Sequence, residues 1–118
     1  MKKLAEQFIR EAIAGTCEVP VYEAWFSDNL SSIYPFSNEV ALKIARRFLD
    51  GRLSFEHADA VANELYALYV AAPIELPQPA DSIYRAFDRG EYEIGGEDPV
   101  EAHTRPMLSS ILTEYDHS

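Results

Sequence analysis

A chain of 118 residues has the size of one domain, and dividing it would leave pieces too small to bury an adequate core. Its composition, 47% hydrophobic and 12% aromatic, lies far from the sparse apolar content of disordered segments. Twenty acidic residues against ten lysines and arginines give a net charge of −10, which argues against direct binding of nucleic acid or an anionic membrane surface and electrostatically favours a basic partner.

The first predicted element is a helix with Leu4, Ala5, Phe8, Ile9, Ala12 and Ile13 on one stripe and Gly15 as its stop. On its polar face Glu6 and Arg10 stand at i and i+4, spaced for an ion pair. Pro20 fits the first turn of a short aromatic helix through Tyr22, Trp25 and Phe26 towards Leu30. This stretch reads equally as an irregular loop whose aromatics plug one end of the core. Ser31 to Pro35 reads as a connection. Ser37 or Asn38 then caps a helix that buries Val40, Ala41, Ile44, Ala45, Phe48 and Leu49 and stops at Asp50-Gly51.

Ser54 caps the longest predicted helix, which ends near Ala72 ahead of Pro73. Its second half, Leu65 to Ala72, is apolar all the way round, the composition of a helix enclosed by others, so it is predicted to be central, with Leu65, Leu68 and Tyr69 in the core. Pro73, Pro77 and Pro79 mark an extended connector. Asp81 or Ser82 opens a helix with Ile83, Tyr84 and Phe87 inward, ending near Gly90. Glu91 to Asp98 is a predicted loop. Asp98-Pro99-Val100-Glu101 carries a helix-start pattern in which Asp98 caps and Glu101 reaches back. Pro106 either kinks this last helix or splits off a one-turn piece, and Met107, Leu108, Ile111, Leu112 and Tyr115 form its apolar stripe. No run alternates as a sheet strand does. The expected architecture is an all-α, single-domain bundle of five to six helices around a central apolar helix.

The residues that could carry chemistry do not assemble into a catalytic or metal-binding pattern. His57, His103 and His117 occur in no HExxH motif and in no i, i+4 pair with one another. His57, with Glu56 and Asp59 nearby, reads as part of a polar first turn serving the helix dipole. His103 is expected to pack or to bond a carbonyl, and His117 lies in the tail. No serine stands in a GxSxG elbow. Gly95-Gly96 precedes Glu97 and Asp98, which would repel a phosphate. An EF-hand counted from Asp88 would need ligands at Gly90 and Tyr92. Cys17, the single cysteine, rules out an intrachain disulfide and a CxxC pair and fits a reducing cytoplasm. The start of the chain lacks the apolar run of a signal peptide, and no segment reaches the roughly 18 to 20 apolar residues of a membrane span. The sequence therefore predicts a cytoplasmic protein that is no enzyme and takes no cofactor or metal.

The candidate site is an acidic stretch. Asp88, Glu91, Glu93, Glu97, Asp98 and Glu101 fall within fourteen residues, interrupted by one base, Arg89. Acids outnumber bases seven to six in residues 1–50, four to one in 51–79 and nine to three in 80–118. A charge excess that grows towards one end of the chain is suited to steering a basic protein partner, beyond what solubility requires. A second reading, from the aromatics Tyr22, Trp25, Phe26, Tyr34 and Phe36, is a helical interaction or regulatory module that forms a homodimer through this segment.

Arg47-Phe48-Leu49-Asp50-Gly51-Arg52-Leu53-Ser54-Phe55-Glu56-His57-Ala58 resembles the FL-x-G-x-I-S-x-x-x-F opening of small bacterial immunity proteins of the colicin D type. Ile83-Tyr84-Arg85-Ala86-Phe87-Asp88, with the acidic loop and closing amphipathic helix after it, is similar to their second half. The resemblance spans roughly residues 42–112. It implies an acidic helical bundle that inhibits a tRNA-cleaving toxin nuclease by covering its basic cleft, with Asp88, Glu91, Glu93, Glu97, Asp98 and Glu101 standing in for RNA phosphates. Residues 19–36 have no counterpart in that pattern, and residues 98–107 depart from it.

Overall fold

Two prolines of this chain, Pro20 and Pro35, stand where a helix can accept them. The first four N–H groups of a helix have no intrahelical partner, so a proline in the first turn removes no bond. In a computed structural model, which describes residues 2–29 and 31–117, Pro20 lies in the first turn of one helix and Pro35 in that of the next. The helices are α1 (Lys2–Ala14), α2 (Val19–Asp28), α3 (Ile33–Leu49), α4 (Phe55–Ala71), α5 (Ala80–Arg89) and α6 (Arg105–His117), with a π-helical turn (Val100–Thr104) leading into α6. Helix holds well over half of the described residues, and no strand occurs among them. None of these helices is long and apolar enough to cross a membrane.

The all-α bundle is as the periodicity predicts, and its buried side chains form one continuous cluster. Ala5, Phe8, Ile9 and Ala12 of α1, Val40, Ala41, Ile44, Ala45 and Phe48 of α3, and Ile83 and Phe87 of α5 are all buried. Leu65, Leu68 and Tyr69 of α4 are buried too. Helix α4 packs against α1, α2, α3 and α5 but shares the centre with α3, which is flanked by α1, α4, α5 and α6. The last turns of α4 are not enclosed on every side: Tyr66 is 40% and Val70 60% exposed.

Two groups of rings brace the core from opposite ends of α3. Phe36 meets Phe8, Trp25 and Phe26 edge to face, and Phe26 meets Tyr69 in the same way. Twelve residues further along, about 18 Å at the helical rise, Phe48 packs against Phe55 and Phe87, and the Arg105 guanidinium lies over its ring. The N-terminal aromatics that suggest a homodimer surface are thus largely core: Tyr22, Phe26 and Phe36 are buried and Trp25 half-buried, while Tyr34 is exposed and stacked on Tyr69. Residues 19–28 are helical, so the loop alternative does not hold. Leu30, the predicted end of that helix, lies outside the described residues.

Several local expectations are corrected. Helix α3 starts at Ile33, inside the predicted connection, because Pro35 falls in its first turn. Ser37 and Asn38 are therefore within the helix and cap nothing there. The Ser37 hydroxyl is buried, bonding the Ile33 carbonyl at 2.8 Å and the Tyr69 hydroxyl at 2.6 Å. Asn38 Oδ1 instead accepts from Ala80 N at 3.1 Å, and Gln78 Oε1 accepts from Ser82 N, so the start of α5 is satisfied by Asn38 and Gln78 rather than by Asp81 or Ser82. Glu6 turns away from Arg10 and pairs with Lys43 and Arg47 of α3.

Other punctuation is as predicted. Gly51 closes α3 at φ +78°, a left-handed conformation that glycine adopts without strain, and Ser54 Oγ accepts from His57 N at 3.2 Å. Of the two alternatives at Pro106, the structure has the one-turn piece: a π turn over Val100–Thr104 precedes α6, which starts at Arg105, one residue before the proline. A ring at that position would strike the carbonyl of Ala102 in a regular α-helix, and the π turn widens the backbone there, with Arg105 N bonded to the Val100 carbonyl. Of the predicted apolar stripe, Leu108 and Leu112 are buried and Ile111 half-buried, whereas Met107 and Tyr115 face outward.

Candidate functional site

Asp59, Asn63, Tyr66 and Val70 recur on α4 at steps of four, three and four residues, which places them on one stripe of the helix. Tyr84, Asp88 and Glu91 recur in the same way along α5 and into the residues that follow. Helices α4 and α5 pack side by side, and the two stripes meet. At one end Asn63 Nδ2 reaches both the Asp59 carboxyl (3.4 Å to Oδ2) and the Glu91 carboxylate (3.2 Å to Oε2). In the middle the rings of Tyr66 and Tyr84 stack, with centroids 4.3 Å apart and planes 2° from parallel. Beyond them Val70 is open to solvent, and on the neighbouring loop Tyr92 and Ile94 are 57% and 64% exposed.

The electrostatics of this face follow from crowding of like charge. Among the described residues Asp59 Oδ1 is buried with no hydrogen-bond partner, and the carboxyl is pushed up to about 8, first by burial, then by the adjacent Glu91 carboxylate and the charge of Asp88. Burial and like charge thus favour the protonated form of this carboxyl. The Tyr84 phenol is pushed up to about 12 by burial, with Asp88, Tyr66, Glu91 and Tyr92 adding to it, so these groups surround a single ring. The nearby bases are committed elsewhere. Arg85 Nε bonds Asp81 at 2.9 Å, and Arg89 donates to the Tyr92 carbonyl at 3.3 Å and to His103 Nε2 at 3.0 Å.

The predicted acids have different fates. Asp88 and Glu91 join Asp59 and Asn63 at the helix junction. Glu93 is exposed on the loop. Asp98 Oδ1 accepts from Val100 N at 3.0 Å, so it serves as the predicted cap. Glu101 does not reach back to complete a capping box. It binds Arg105 Nε at 2.8 Å, one turn ahead. Glu97 lies 3.9 Å from His103 Nε2. The same nitrogen lies 3.0 Å from Arg89 Nη2. His103, expected to pack or to bond a carbonyl, is half-buried and bonds the Arg89 guanidinium. His57 is exposed in the first turn of α4, and the side chain of His117 lies outside the described residues.

Asp59 is the residue that the acidic-run reading passes over, since it lies far from that run in sequence, near the start of α4 where acids normally face water. Its signal is its phase: it shares a stripe with Asn63, Tyr66 and Val70, whose polarity changes along one helix face. Among the described residues no group of three or more histidine, cysteine, aspartate or glutamate side chains is arranged to hold a metal ion. No protein-family model, curated protein or solved structure matches this chain.

Proposed function

We propose that the chain is a protein-binding domain of the immunity or antitoxin type, which inhibits a basic nuclease by laying its acidic face over the enzyme's active cleft. The observation that carries the reading is the junction of α4, α5 and the following loop. There acids, stacked tyrosines and exposed apolar side chains adjoin, while the local bases are tied to Asp81, Tyr92 and His103. Association of such a surface is driven by complementary charge at its rim and by aromatic anchors within it. The growing acid excess towards residue 118 and the resemblance over residues 42–112 support the same partner class.

The test is a binding and inhibition titration against a basic, tRNA-cleaving toxin domain, with the native chain and with Glu91, Glu93 and Glu97 all replaced by Gln. The native chain should bind and inhibit, with an association rate that falls steeply with salt. The triple variant should keep its stability, or gain slightly from relieved repulsion, and associate roughly tenfold more slowly. Absence of binding by the native chain, or an unchanged rate in the triple variant, would remove the proposal. Asp98 is left intact because as a cap it contributes to folding.

A further inference from the structure

We propose that the cleft at the C-terminal ends of α2 and α4 binds a small apolar amine, with the apolar body on Phe26, Ile33 and Leu68 and the ammonium group at the Glu23 carboxylate. The cleft shares no residue with the face formed by Asp59, Asn63, Tyr66, Tyr84 and Glu91, so the inference stands apart from the protein-binding reading above.

The space has a local cause. Helix α4 ends in Ala71 and is followed by Ala72, side chains that fill little, and Pro73 has no N–H for the Tyr69 carbonyl, which accepts from Ile74 N at 3.2 Å instead. Between these residues and α2 a cavity of about 280 Å³ remains. Its floor belongs to the core: Phe26, Ile33 and Leu68 line it and are at most 3% exposed. Its mouth is polar, because Glu23 and Ser27, one turn apart on α2, line it from exposed positions. An apolar floor with a few polar groups at one edge is the make-up of a small-molecule site. The volume is about twice that of a cavity that holds benzene, which sets the ligand at one ring with a short tail.

The charge around the mouth selects a cation. Neither α2 nor α4 has a base in its last turn, so the negative end of each helix dipole goes uncompensated by its own side chains. Among the described residues no backbone N–H bonds the Val70 or Ala71 carbonyl at the end of α4. Glu23 makes no hydrogen bond or ion pair with another described residue, and no lysine or arginine is among the described residues that line the cleft. A carboxylate or phosphate ligand would be repelled by these groups, and a neutral one would draw little from Glu23. An ammonium on an apolar body uses both the floor and the mouth.

The experiment titrates the full chain with phenethylamine, phenylethanol and phenylacetate, which join one ring to a positive, a neutral and a negative tail, and follows amide chemical shifts. Concentrations run to about 20 mM, since ligands of about ten heavy atoms bind in the millimolar range. The amine should move the amides of Phe26, Ile33 and Leu68 and bind roughly two- to fivefold more tightly than the alcohol, with phenylacetate weakest. Glu23→Gln should bring amine and alcohol close to parity. Ala71→Leu, which fills the cleft from an exposed helix end, should remove the binding of both. No shift at those three amides, or binding unchanged in Ala71→Leu, overturns the site. Phenylacetate binding as tightly as the amine, or an amine preference that survives Glu23→Gln, overturns the assignment of its ligand.

Discussion

The carboxyl of Asp59 on α4 and the carboxylate of Glu91 beyond α5 share one amide nitrogen, Asn63 Nδ2, whose two N–H groups face one acid each. Burial and the adjoining Glu91 carboxylate outweigh that bond, and Asp59 is raised from its ordinary 3.8 to about 8. The folded state therefore holds a proton that the unfolded chain has released throughout that interval. Stability from this site is full below the ordinary value and falls as pH rises towards 8. Asp59→Asn should raise stability at pH 8 by about 1 to 2 kcal/mol, short of the full shift because the side chain is only half-buried. Urea unfolding of both proteins at pH 5 and pH 8 measures this, and equal midpoints at both values would show that Asp59 is ionised without penalty.

Glu6 has the opposite sign. The hydrogen bond from Arg47 holds its carboxyl below the ordinary 4.5, burial works against this, and Lys43 adds to the lowering. Its contribution is present above the ordinary value and is lost as pH falls through the depressed one. Glu6→Gln should cost about 0.5 to 1 kcal/mol at pH 7, with the difference shrinking to nothing in acid. A deficit that persists at pH 2.5 would mean that Glu6 acts through packing alone.

Phe48→Ala should cost about 3 to 5 kcal/mol. The ring is 4% exposed and touches Phe55 and Phe87, and Arg105 lies over it, so truncation leaves a hole bounded by three helices and the start of α6. A loss below about 1 kcal/mol by chemical denaturation would mean that the site collapses freely.

Gly90 and Gly51 should respond to alanine for different reasons. At Gly90 the backbone is ordinary, but an added Cβ would lie 2.3 Å from Thr104 Oγ1 and 2.8 Å from Phe55 Cε1. Thr104 is buried and donates to the Ala86 carbonyl at 2.7 Å, so it has little freedom to move, and the loss should be about 1 to 3 kcal/mol. At Gly51 nothing lies within 4 Å and the penalty, about 1 kcal/mol, comes from the left-handed φ alone. Gly51→Asn should recover much of that loss, whereas Gly90→Asn should be worse than alanine. A common response at both positions would contradict the distinction.

The helices were legible wherever one apolar stripe faced one core, as in α1, the body of α3 and α5. What sequence reading missed depended on neighbours distant in the chain. Glu6 has a candidate partner four residues away in Arg10, yet binds Lys43 and Arg47, because α1 lies against α3. Pro35 looks like a break until its place within the first turn is known. For the candidate site, the acidity of residues 88–101 was apparent, but the tyrosine stack and the position of Asp59 appear only when α5 is laid along α4. The π turn was not legible because it fits one extra residue into a single turn, too short a stretch for periodicity to reveal.

That extra residue makes the end of the chain sensitive to counting. Thr104, Leu108 and Leu112 all point into the core, and the five-residue turn before them sets the phase at which they arrive. Exposed Ala102 could be exchanged for another small residue at little cost, but deleting it would rotate everything downstream by roughly 100° relative to the turn upstream. Leu108 and Leu112 would swing towards water. Along this segment the fold is set by the number of residues more than by their kind, and homologues that share it should vary freely at position 102 while keeping its length.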